Sequence, residues 1–526
     1  MADINGGQAI VNVLKAFGVT QFFNVPGESF LPVLDAVGAE PSIRLTTNRH
    51  ESGASFAAEG FAKISGRPAV CMATRGPGAS NLSIGIQTAL YDSTPMVALV
   101  GLVPTEIQGT QAFQEFDPNS MFSSLAKRTL VVASRATLEA TIAQALTEAT
   151  VGRPGPVLVG IPADFLSAEA PPGPFGFAEP AADGEPDIVP LLERLRRAIS
   201  PAFIVSTAAV RGRFAADLAE VAGRVGAPVF CGWRRFSAFD NGHPNFGGSL
   251  GLGMSASVRE TLDLADLVVG FGPLEQVTID SGQLNRPGLE VMNVSTTQDA
   301  NLVRRLNRAR LVEVIARPEA VARALARAVS DSKADGRGLD AAAEKKPASP
   351  EDLTADSAIS LLNRSAASNV IIVSDAGDFA HSLLRHFRFD RSRSFIGPVN
   401  GSMGYGLPAA IGARLADPSR PVVCVAGDGG LLMTAGEMET AVRIGVDLTA
   451  IVFNNRAFGT IKTRQAEAFP GREFGTSLGD VCFAEIAKAM GWTAWSARTL
   501  AEFESALNSS EATSGCRLIE VHLSGS

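Results

Sequence analysis

The fold is decided by a pair of apolar segments, PVVCVAGDGG at residues 421–430 and LTAIVFNN at residues 448–455. Each is a short apolar run that ends in glycine or polar residues, which is the pattern of a buried strand. The amphipathic stretch between them predicts a helix, so the pair predicts a strand–helix–strand unit with parallel strands. Sheets of this kind bind ligands at the carboxyl ends of their strands. We therefore expect a ligand site where these two segments end.

The residues at the two strand ends predict a site for a phosphate group and a metal ion. Glycines after a strand let backbone N–H groups approach a phosphate, and the N-terminus of the next helix favours negative charge. Asp428 offers a hard oxygen suited to Mg²⁺, and Asn455 should lie beside it because it ends the neighbouring strand. Either motif alone also fits a plain turn; their position at successive strand ends favours a site. The predicted loop consists of Gly427, Asp428, Gly429 and Gly430.

The rest of the chain repeats this alternation of apolar runs and amphipathic stretches. A length of 526 residues suggests three or four domains. Residues 170–185 are rich in Pro, Gly and Ala, and residues 331–352 are polar, so both are predicted linkers. We predict an α/β fold of three doubly wound parallel-sheet domains at residues 1–170, 186–330 and 353–526.

Composition and charge argue against several classes of function. The net charge is −8 and no basic block stands out, which disfavours nucleic acid as a partner. The five cysteines are far apart and form no CxxC pair, so neither disulfides nor a zinc site are indicated. The N-terminus does not resemble a signal peptide, and no apolar run approaches the roughly 18 residues of a membrane span. We expect a cytoplasmic protein without a membrane partner.

The combined pattern GDG…NN resembles that of thiamine-diphosphate (ThDP) enzymes. The resemblance covers essentially the whole chain. It includes VPGE at residues 25–28, RHE at 49–51, GPGASN at 76–81 and GSMGYGLP at 401–408. It implies an N-terminal domain for the pyrimidine of ThDP, a central domain, and a C-terminal domain for the diphosphate and Mg²⁺.

The resemblance also implies roles for particular residues. In the family the metal is held by the Asp, the second Asn and a backbone carbonyl two residues later, here Asp428, Asn455 and Ala457. It also implies that each site is shared between subunits, so that the protein is at least a homodimer and often a homotetramer. A catalytically inactive relative would need to lack Asp428, Asn455 or Glu51, and all three are present.

The pyrimidine side of the cofactor would be bound by residues from both terminal domains. The local features of Glu51 favour a helix-start residue that complements the helix dipole. The resemblance instead implies that Glu51 contacts the pyrimidine ring as a catalytic group. It also implies that Gly401 and Met403 contact the ring, that Met403 supports a bent cofactor, and that Pro26 and Gly27 form a cofactor-binding loop.

Within the family the chain is most similar to acetolactate synthase large subunits. The segments at residues 74–101 and 112–117 (AFQEFD) carry this similarity. It implies that Gln114 faces the reacting centre and that the enzyme is a carboligase or decarboxylase of small 2-oxoacids. The alternative is a lyase of 2-hydroxyacyl-CoA or 2-hydroxyketone substrates that releases an aldehyde, as benzaldehyde lyase does.

Two departures from acetolactate synthases keep that alternative open. Residues 456–476 lack the Trp-containing stretch that orders the second 2-oxoacid in those enzymes. The central block carries no motif that supports FAD or ADP, although neither is ruled out by the sequence. A CoA substrate would require basic residues in that block to bind its phosphates. For each candidate arginine, a solvated position on the surface is the favoured interpretation. The candidates are Arg211, Arg213, Arg234, Arg235, Arg304 and Arg305.

Overall fold

The computed structural model describes residues 4–170, 184–206, 213–281, 284–329, 352–390 and 392–523. Most of the predicted linkers 170–185 and 331–352, together with Arg211, lie outside the described residues. Within these residues the chain forms three six-stranded sheets, each with parallel pairing, which confirms the predicted fold class. None of the described helices is long and apolar enough to cross a membrane.

The first domain is a parallel sheet covered on both faces. Its strands are β1 (Ile4–Asn5), β2 (Gln21–Asn24), β3 (Arg44–Thr47), β4 (Ala69–Thr74), β5 (Met96–Leu102), β6 (Arg128–Val131), β7 (Pro156–Pro162) and β8 (Glu169–Ala170). Its helices are α1 (Gly6–Ala16), α2 (Leu31–Gly38), α3 (Glu51–Ser65), α4 (Arg75–Asp92), α5 (Pro118–Phe122), α6 (Leu138–Thr150) and α7 (Ala163–Ser167). The sheet order is β3-β2-β4-β5-β7-β6, and β1 pairs with β8 separately. Within β4, Met72 packs in the core with α1 and α6, whereas Cys71 packs with α3 and α4.

The central domain has the strand order typical of dinucleotide-binding sheets, β11-β10-β9-β12-β13-β14. Its strands are β9 (Pro201–Val205), β10 (Val229–Cys231), β11 (Phe246–Ser249), β12 (Leu267–Phe271), β13 (Glu290–Ser295) and β14 (Arg310–Ile315). Its helices are α8 (Val189–Arg197), α9 (Arg213–Val225), α10 (Ala256–Asp263), α11 (Gln276–Ser281), α12 (Ala300–Arg305) and α13 (Pro318–Val329). Residues 314–315 pair in β14, and α13 begins at Pro318, a residue suited to a first helical position.

The third domain repeats the strand order of the first, β16-β15-β17-β18-β20-β19. Its strands are β15 (Ile371–Ser374), β16 (Ser394–Ile396), β17 (Val422–Gly427), β18 (Leu448–Asn454), β19 (Thr493–Ala497) and β20 (Cys516–His522). Its helices are α14 (Ala355–Ser365), α15 (Phe379–His386), α16 (Gly406–Ala416), α17 (Asp428–Met433), α18 (Glu437–Arg443), α19 (Gly459–Ala468), α20 (Phe483–Ala489) and α21 (Leu500–Glu511). The predicted unit of two parallel strands is β17 and β18, and it is confirmed.

Helices α3 and α16 pack so closely that they join the first and third domains. A Cβ atom on Gly412 would overlap the carbonyl oxygen of Ala57, and one on Gly60 would overlap that of Ala409. Glycine has no Cβ and so allows the two backbones to approach. The interface therefore requires glycine on both helices.

A buried network of charges joins all three domains. Lys63 lies 2.9 Å from Glu59 and 3.1 Å from Asp92, and Arg235 of the central domain lies 2.9 Å from Asp92. The Tyr405 hydroxyl of the third domain donates to Glu59 at 2.6 Å. Burial raises the pKa of Glu59, whereas Lys63 lowers it. Buried charges are stable only when they are paired, so these contacts constrain the domain arrangement. The interpretation of Arg235 as solvated surface is wrong.

We expect Gly412→Ala to lower the apparent melting temperature, because the added methyl group must displace the backbone of α3. Overpacking of this kind typically costs about 1–3 kcal/mol. Gly38→Ala is the matched control, because it also lies in a helix and its Cβ would have no atom within 4 Å. Thermal unfolding of both variants checks the contact, and equal melting temperatures would contradict it.

Candidate functional site

Asp428 lies at the carboxyl edge of the third sheet, where β17 ends and α17 begins. Its side chain is buried, and Oδ1 accepts the Gly429 N–H at 2.9 Å. Burial raises the pKa of this carboxyl, while the N–H groups of Gly429, Arg456 and Ala457 lower it. Oδ2 is also buried and has no hydrogen-bond partner among the described residues. Buried polar atoms are rarely unpaired, so this oxygen is available to a ligand such as a metal ion.

The turn after β18 lies beside Asp428, as the strand pairing requires. Gly427 is opposite Phe453 in the β17–β18 register. In the turn, Asn455 Oδ1 accepts the Ala457 N–H at 3.2 Å, and Arg456 has a φ of 53°. The structure therefore brings together the three residues predicted to hold the metal, Asp428, Asn455 and Ala457.

The residues of this site fit Mg²⁺ better than a transition metal. Within the part of the chain that the structure describes, no group of three His, Cys, Asp or Glu side chains could hold a metal ion. The predicted set has one carboxylate and neutral oxygens, which suits an ion that keeps phosphate oxygens and waters as its other ligands.

The first Asn of the pair, Asn454, supports the turn after β18 through hydrogen bonds inside the fold. The sequence analysis did not predict this role. Its amide donates to Glu520 at 2.7 Å and to the Val481 carbonyl at 3.1 Å, and its Oδ1 accepts the Arg456 N–H at 3.3 Å. Glu520 is fully buried and also accepts the Ala484 N–H at 3.0 Å. The available signal was an acidic residue within the apolar strand β20.

A Cβ atom on either glycine after Asp428 would crowd a neighbouring side chain, which would have to shift. A Cβ on Gly429 would lie 2.8 Å from the Phe458 ring, and one on Gly430 would lie 2.8 Å from Asp375 Oδ2. Both glycines therefore let neighbouring groups reach the backbone of this loop, as a phosphate-binding loop requires.

The turn that contains Met403 lies against α17. Gly401 and Gly404 have φ values of 74° and 80°, in the left-handed region that favours glycine. A Cβ on Gly404 would lie 3.1 Å from the Cβ of Met433. Met403 is half-buried and Gly401 is exposed. The predicted pyrimidine turn and the predicted diphosphate loop are thus neighbours in the structure.

Glu51 is the first residue of α3, as its pattern indicated. Its Oε2 accepts the Asn81 amide at 2.9 Å, and a Cβ on Gly78 would lie 3.4 Å from Oε1. Among the described residues, no hydrogen bond joins Glu51 to Met403 or Asp428. Glu51 itself therefore forms no hydrogen bond to the diphosphate side of the predicted site among the described residues, although Thr88 of α4 bonds to Ser402 beside Met403 at 3.0 Å.

The other predicted loops of the first domain lie near the beginning of α4. Gly27 packs against Thr74 at the end of β4, and Pro26 is exposed. Gln114 is half-buried with a φ of 65°, and its carbonyl accepts the Gly76 N–H at 2.9 Å. The backbone of Gln114 is therefore fixed at the same edge of the sheet.

Glu437 is a further residue of interest that the sequence did not reveal. It is 1% exposed and lies on α18. It accepts the Asn48 amide at 2.8 Å and the backbone N–H groups of Arg49 and His50 at 3.1 and 3.3 Å. Glu437 of the third domain thus holds the turn that precedes Glu51. Burial raises the pKa of this carboxyl, and these donors lower it.

Three parallel-sheet domains, with buried polar groups at the carboxyl edge of the third sheet, are the arrangement of a multidomain α/β cofactor-binding protein. Three family models match the chain, all described as thiamine pyrophosphate (that is, ThDP) enzyme domains. They are the N-terminal TPP binding domain at residues 4–121, the central domain at 188–325 and the C-terminal TPP binding domain at 375–521.

Two similar proteins extend these matches over most of the chain. Acetolactate synthase isozyme 1 large subunit of Escherichia coli (strain K12) is 30% identical over 499 residues, covering 92% of this chain and 88% of that protein. Sulfoacetaldehyde acetyltransferase of Alcaligenes xylosoxydans xylosoxydans is 30% identical over 524 residues, covering 92% of this chain and 86% of that protein. The chain belongs to the thiamine pyrophosphate enzyme family, and the predicted resemblance is confirmed.

The solved structures show the same fold. The Rhodococcus jostii RHA1 thiamine diphosphate-dependent 4-hydroxybenzoylformate decarboxylase superimposes with a TM-score of 0.85 at 23% identity, covering 99% of each chain. The family matches and the similarity to acetolactate synthase large subunits make the protein a ThDP-dependent enzyme of the acetolactate synthase type.

We expect Glu437→Ala to destabilise the protein, because it leaves the buried Asn48 amide and two partly buried backbone N–H groups without an acceptor. Unpaired buried groups of this kind cost about 1–3 kcal/mol each. Glu439→Ala is the control on the same helix, since Glu439 is 40% exposed and forms a surface ion pair with Arg443. Surface ion pairs contribute little to the free energy of unfolding. Thermal unfolding tests both, and a Glu437 variant as stable as the Glu439 variant would contradict the assigned role.

Proposed function

We propose that this enzyme uses ThDP and Mg²⁺ to form or cleave a carbon–carbon bond next to the carbonyl of a small 2-oxoacid. The observation that carries the proposal is the buried, unpartnered Oδ2 of Asp428 beside the Asn455 turn. When bound, ThDP would supply the electron sink that such a bond change needs. Similarity to acetolactate synthases supports 2-oxoacids as the substrate class.

Residues of the third domain would hold the cofactor's charged end. Asp428, Asn455 and the Ala457 carbonyl would bind Mg²⁺ through oxygen atoms. The diphosphate would bind at this glycine loop through the Gly430 N–H, because the Gly429 N–H already donates to Asp428 Oδ1.

Residues of the first domain and of the Met403 turn would bind the pyrimidine. Glu51, oriented by Asn81, would exchange a proton between its carboxyl group and a ring nitrogen. The Gly401 carbonyl and the Met403 N–H would bind the polar edge of the ring, and the Met403 side chain would support the bent form. Gln114 would lie beside the reacting carbonyl.

We further propose that the active unit is a homodimer, or a tetramer of such dimers, in the cytoplasm. Glu51 of one chain would then act on the cofactor bound by the third domain of another. Exposed apolar residues support this arrangement, because Leu432 and Met433 are 44% and 54% exposed in the helix that begins at Asp428. A second copy of the chain would cover them. Domains at residues 1–170, 186–330 and 353–526 fit this division of roles.

The substrate class is tested by incubating the protein with ThDP, Mg²⁺ and pyruvate and following CO₂ and products by NMR. The expected result is CO₂ release with formation of acetolactate or acetoin. No consumption of pyruvate would overturn the 2-oxoacid proposal. Cleavage of benzoin or of a 2-hydroxyacyl-CoA to an aldehyde without CO₂ would then establish the lyase alternative.

Two variants should fail at different steps if the roles are correct. Glu51→Gln should bind ThDP nearly as the wild type does yet abolish turnover, because an amide cannot exchange the proton. Asp428→Ala should lose Mg²⁺-dependent ThDP binding. Titration of ThDP and assay of turnover distinguish the two, with Glu193→Gln as an exposed control. Wild-type turnover by the Glu51 variant would remove that residue from its role.

A further inference from the structure

Asp375 takes no part in the proposed reaction, yet it contacts both halves of the candidate cofactor site. It follows β15 and is 1% exposed. Oδ1 accepts the Ala376 N–H at 2.6 Å, and Oδ2 accepts the Gly404 N–H at 3.1 Å. The same Oδ2 would lie 2.8 Å from a Cβ on Gly430. One carboxylate therefore binds the Met403 turn and packs against the diphosphate loop.

The peptide groups of Gly404 are held from both sides. Asp375 accepts its N–H, while the Thr434 hydroxyl donates to its carbonyl at 2.8 Å. Thr434 follows α17 directly and is buried. The turn that carries Met403 is thus hydrogen-bonded to the segment that begins with Asp428.

The central domain contributes a third contact through Arg234. This residue is 4% exposed, and its guanidinium donates to the Asp375 backbone carbonyl at 3.2 Å and lies 5.3 Å from the centre of the Trp233 ring. The interpretation of Arg234 as solvated surface is wrong, because domain packing encloses it. Burial lowers the pKa of Arg234 to about 10, and the charge of Asp375 opposes that shift.

We propose that Asp375 is a positioning residue that sets the Met403 turn relative to the Gly430 loop, the two segments that would hold the two ends of ThDP. The inference rests on the proposed function, since it assigns the two halves of the cofactor to these two segments. A carboxylate suits this task because both of its oxygens accept. Asparagine has one acceptor oxygen, so its NH₂ group would face the N–H of either Ala376 or Gly404.

A positioning role and a purely structural role predict different behaviour of Asp375→Asn. Burial raises the pKa of Asp375 to about 6 from its ordinary value of 3.8. The folded protein therefore binds this proton more tightly than the unfolded chain, and the cost of burying the charge is fully present above pH 6. The Asn variant is relieved of this cost, but the gain is opposed by the one N–H group that is left without an acceptor. A purely structural role would therefore be recognised by an equal fall in the affinity for every ligand of the site, whereas a positioning role lowers the affinity only for a ligand that spans both segments.

The experiment measures the affinities of two ligands by calorimetry in the presence of Mg²⁺. The first is ThDP, which would contact both segments, and the second is inorganic pyrophosphate, which would contact only the Gly430 loop. We expect Asp375→Asn to lower the affinity for ThDP about tenfold, as the loss of a charge-assisted hydrogen bond would. The affinity for pyrophosphate should stay within about twofold of the wild-type value. Asp356→Asn is the control in the same domain. Asp356 pairs with Arg385 and His386 at the surface and should affect neither ligand.

A second variant keeps the test decisive if Asp375→Asn does not fold. Thr434→Val preserves the shape of the side chain and removes only its hydrogen bond to the Gly404 carbonyl, so it should also lower the affinity for ThDP more than that for pyrophosphate. An equal fall in both affinities, or no change in either, would overturn the role of Asp375. Failure of the wild-type protein to bind ThDP would instead overturn the proposed function itself.

Discussion

The backbone contact between α3 and α16 is the constraint on which the rest of the site depends. Gly60 and Gly412 bring the two helices close enough for main chain to meet main chain. Helix α3 begins at Glu51, and α16 begins directly after the Met403 turn. A contact that fixes both helices therefore also fixes the starting points from which two predicted cofactor-binding elements extend.

Buried charged residues add further contacts that constrain how the three domains are arranged. At the junction of all three domains, Arg235 and Lys63 share Asp92. Where the central domain meets the third, Arg234 binds the backbone of Asp375. Such pairs are costly to bury and contribute little net stability, but each tolerates few alternative geometries. We interpret them as the means by which three separately folded sheets are held in one arrangement.

The polar groups of the third-domain edge divide into satisfied and unsatisfied sets. Asn454 and Glu520 satisfy each other and support the turn after β18 from inside the fold. Asp428, at the same edge, retains one buried oxygen without a partner among the described residues. The hydrogen-bonded pair Asn454 and Glu520 holds the turn beside Asp428, whose free oxygen can then bind a ligand. Metal and cofactor sites require such support for the residues that bind the ligand.

The sequence by itself determined the three parallel sheets, the β17–β18 unit and the convergence of Asp428 with the Asn455 turn. These follow from local causes, namely apolar periodicity, glycine at strand ends and the shared edge of parallel strands. Only the tertiary structure decided the roles of Glu437, Asp375 and Arg234. Their partners lie in other domains or on distant segments of the same domain, so no local pattern marks them, and an isolated charge in a sequence is usually interpreted as solvated. Whether a charge is buried and paired depends on how the domains pack, and that information is distributed over the whole chain.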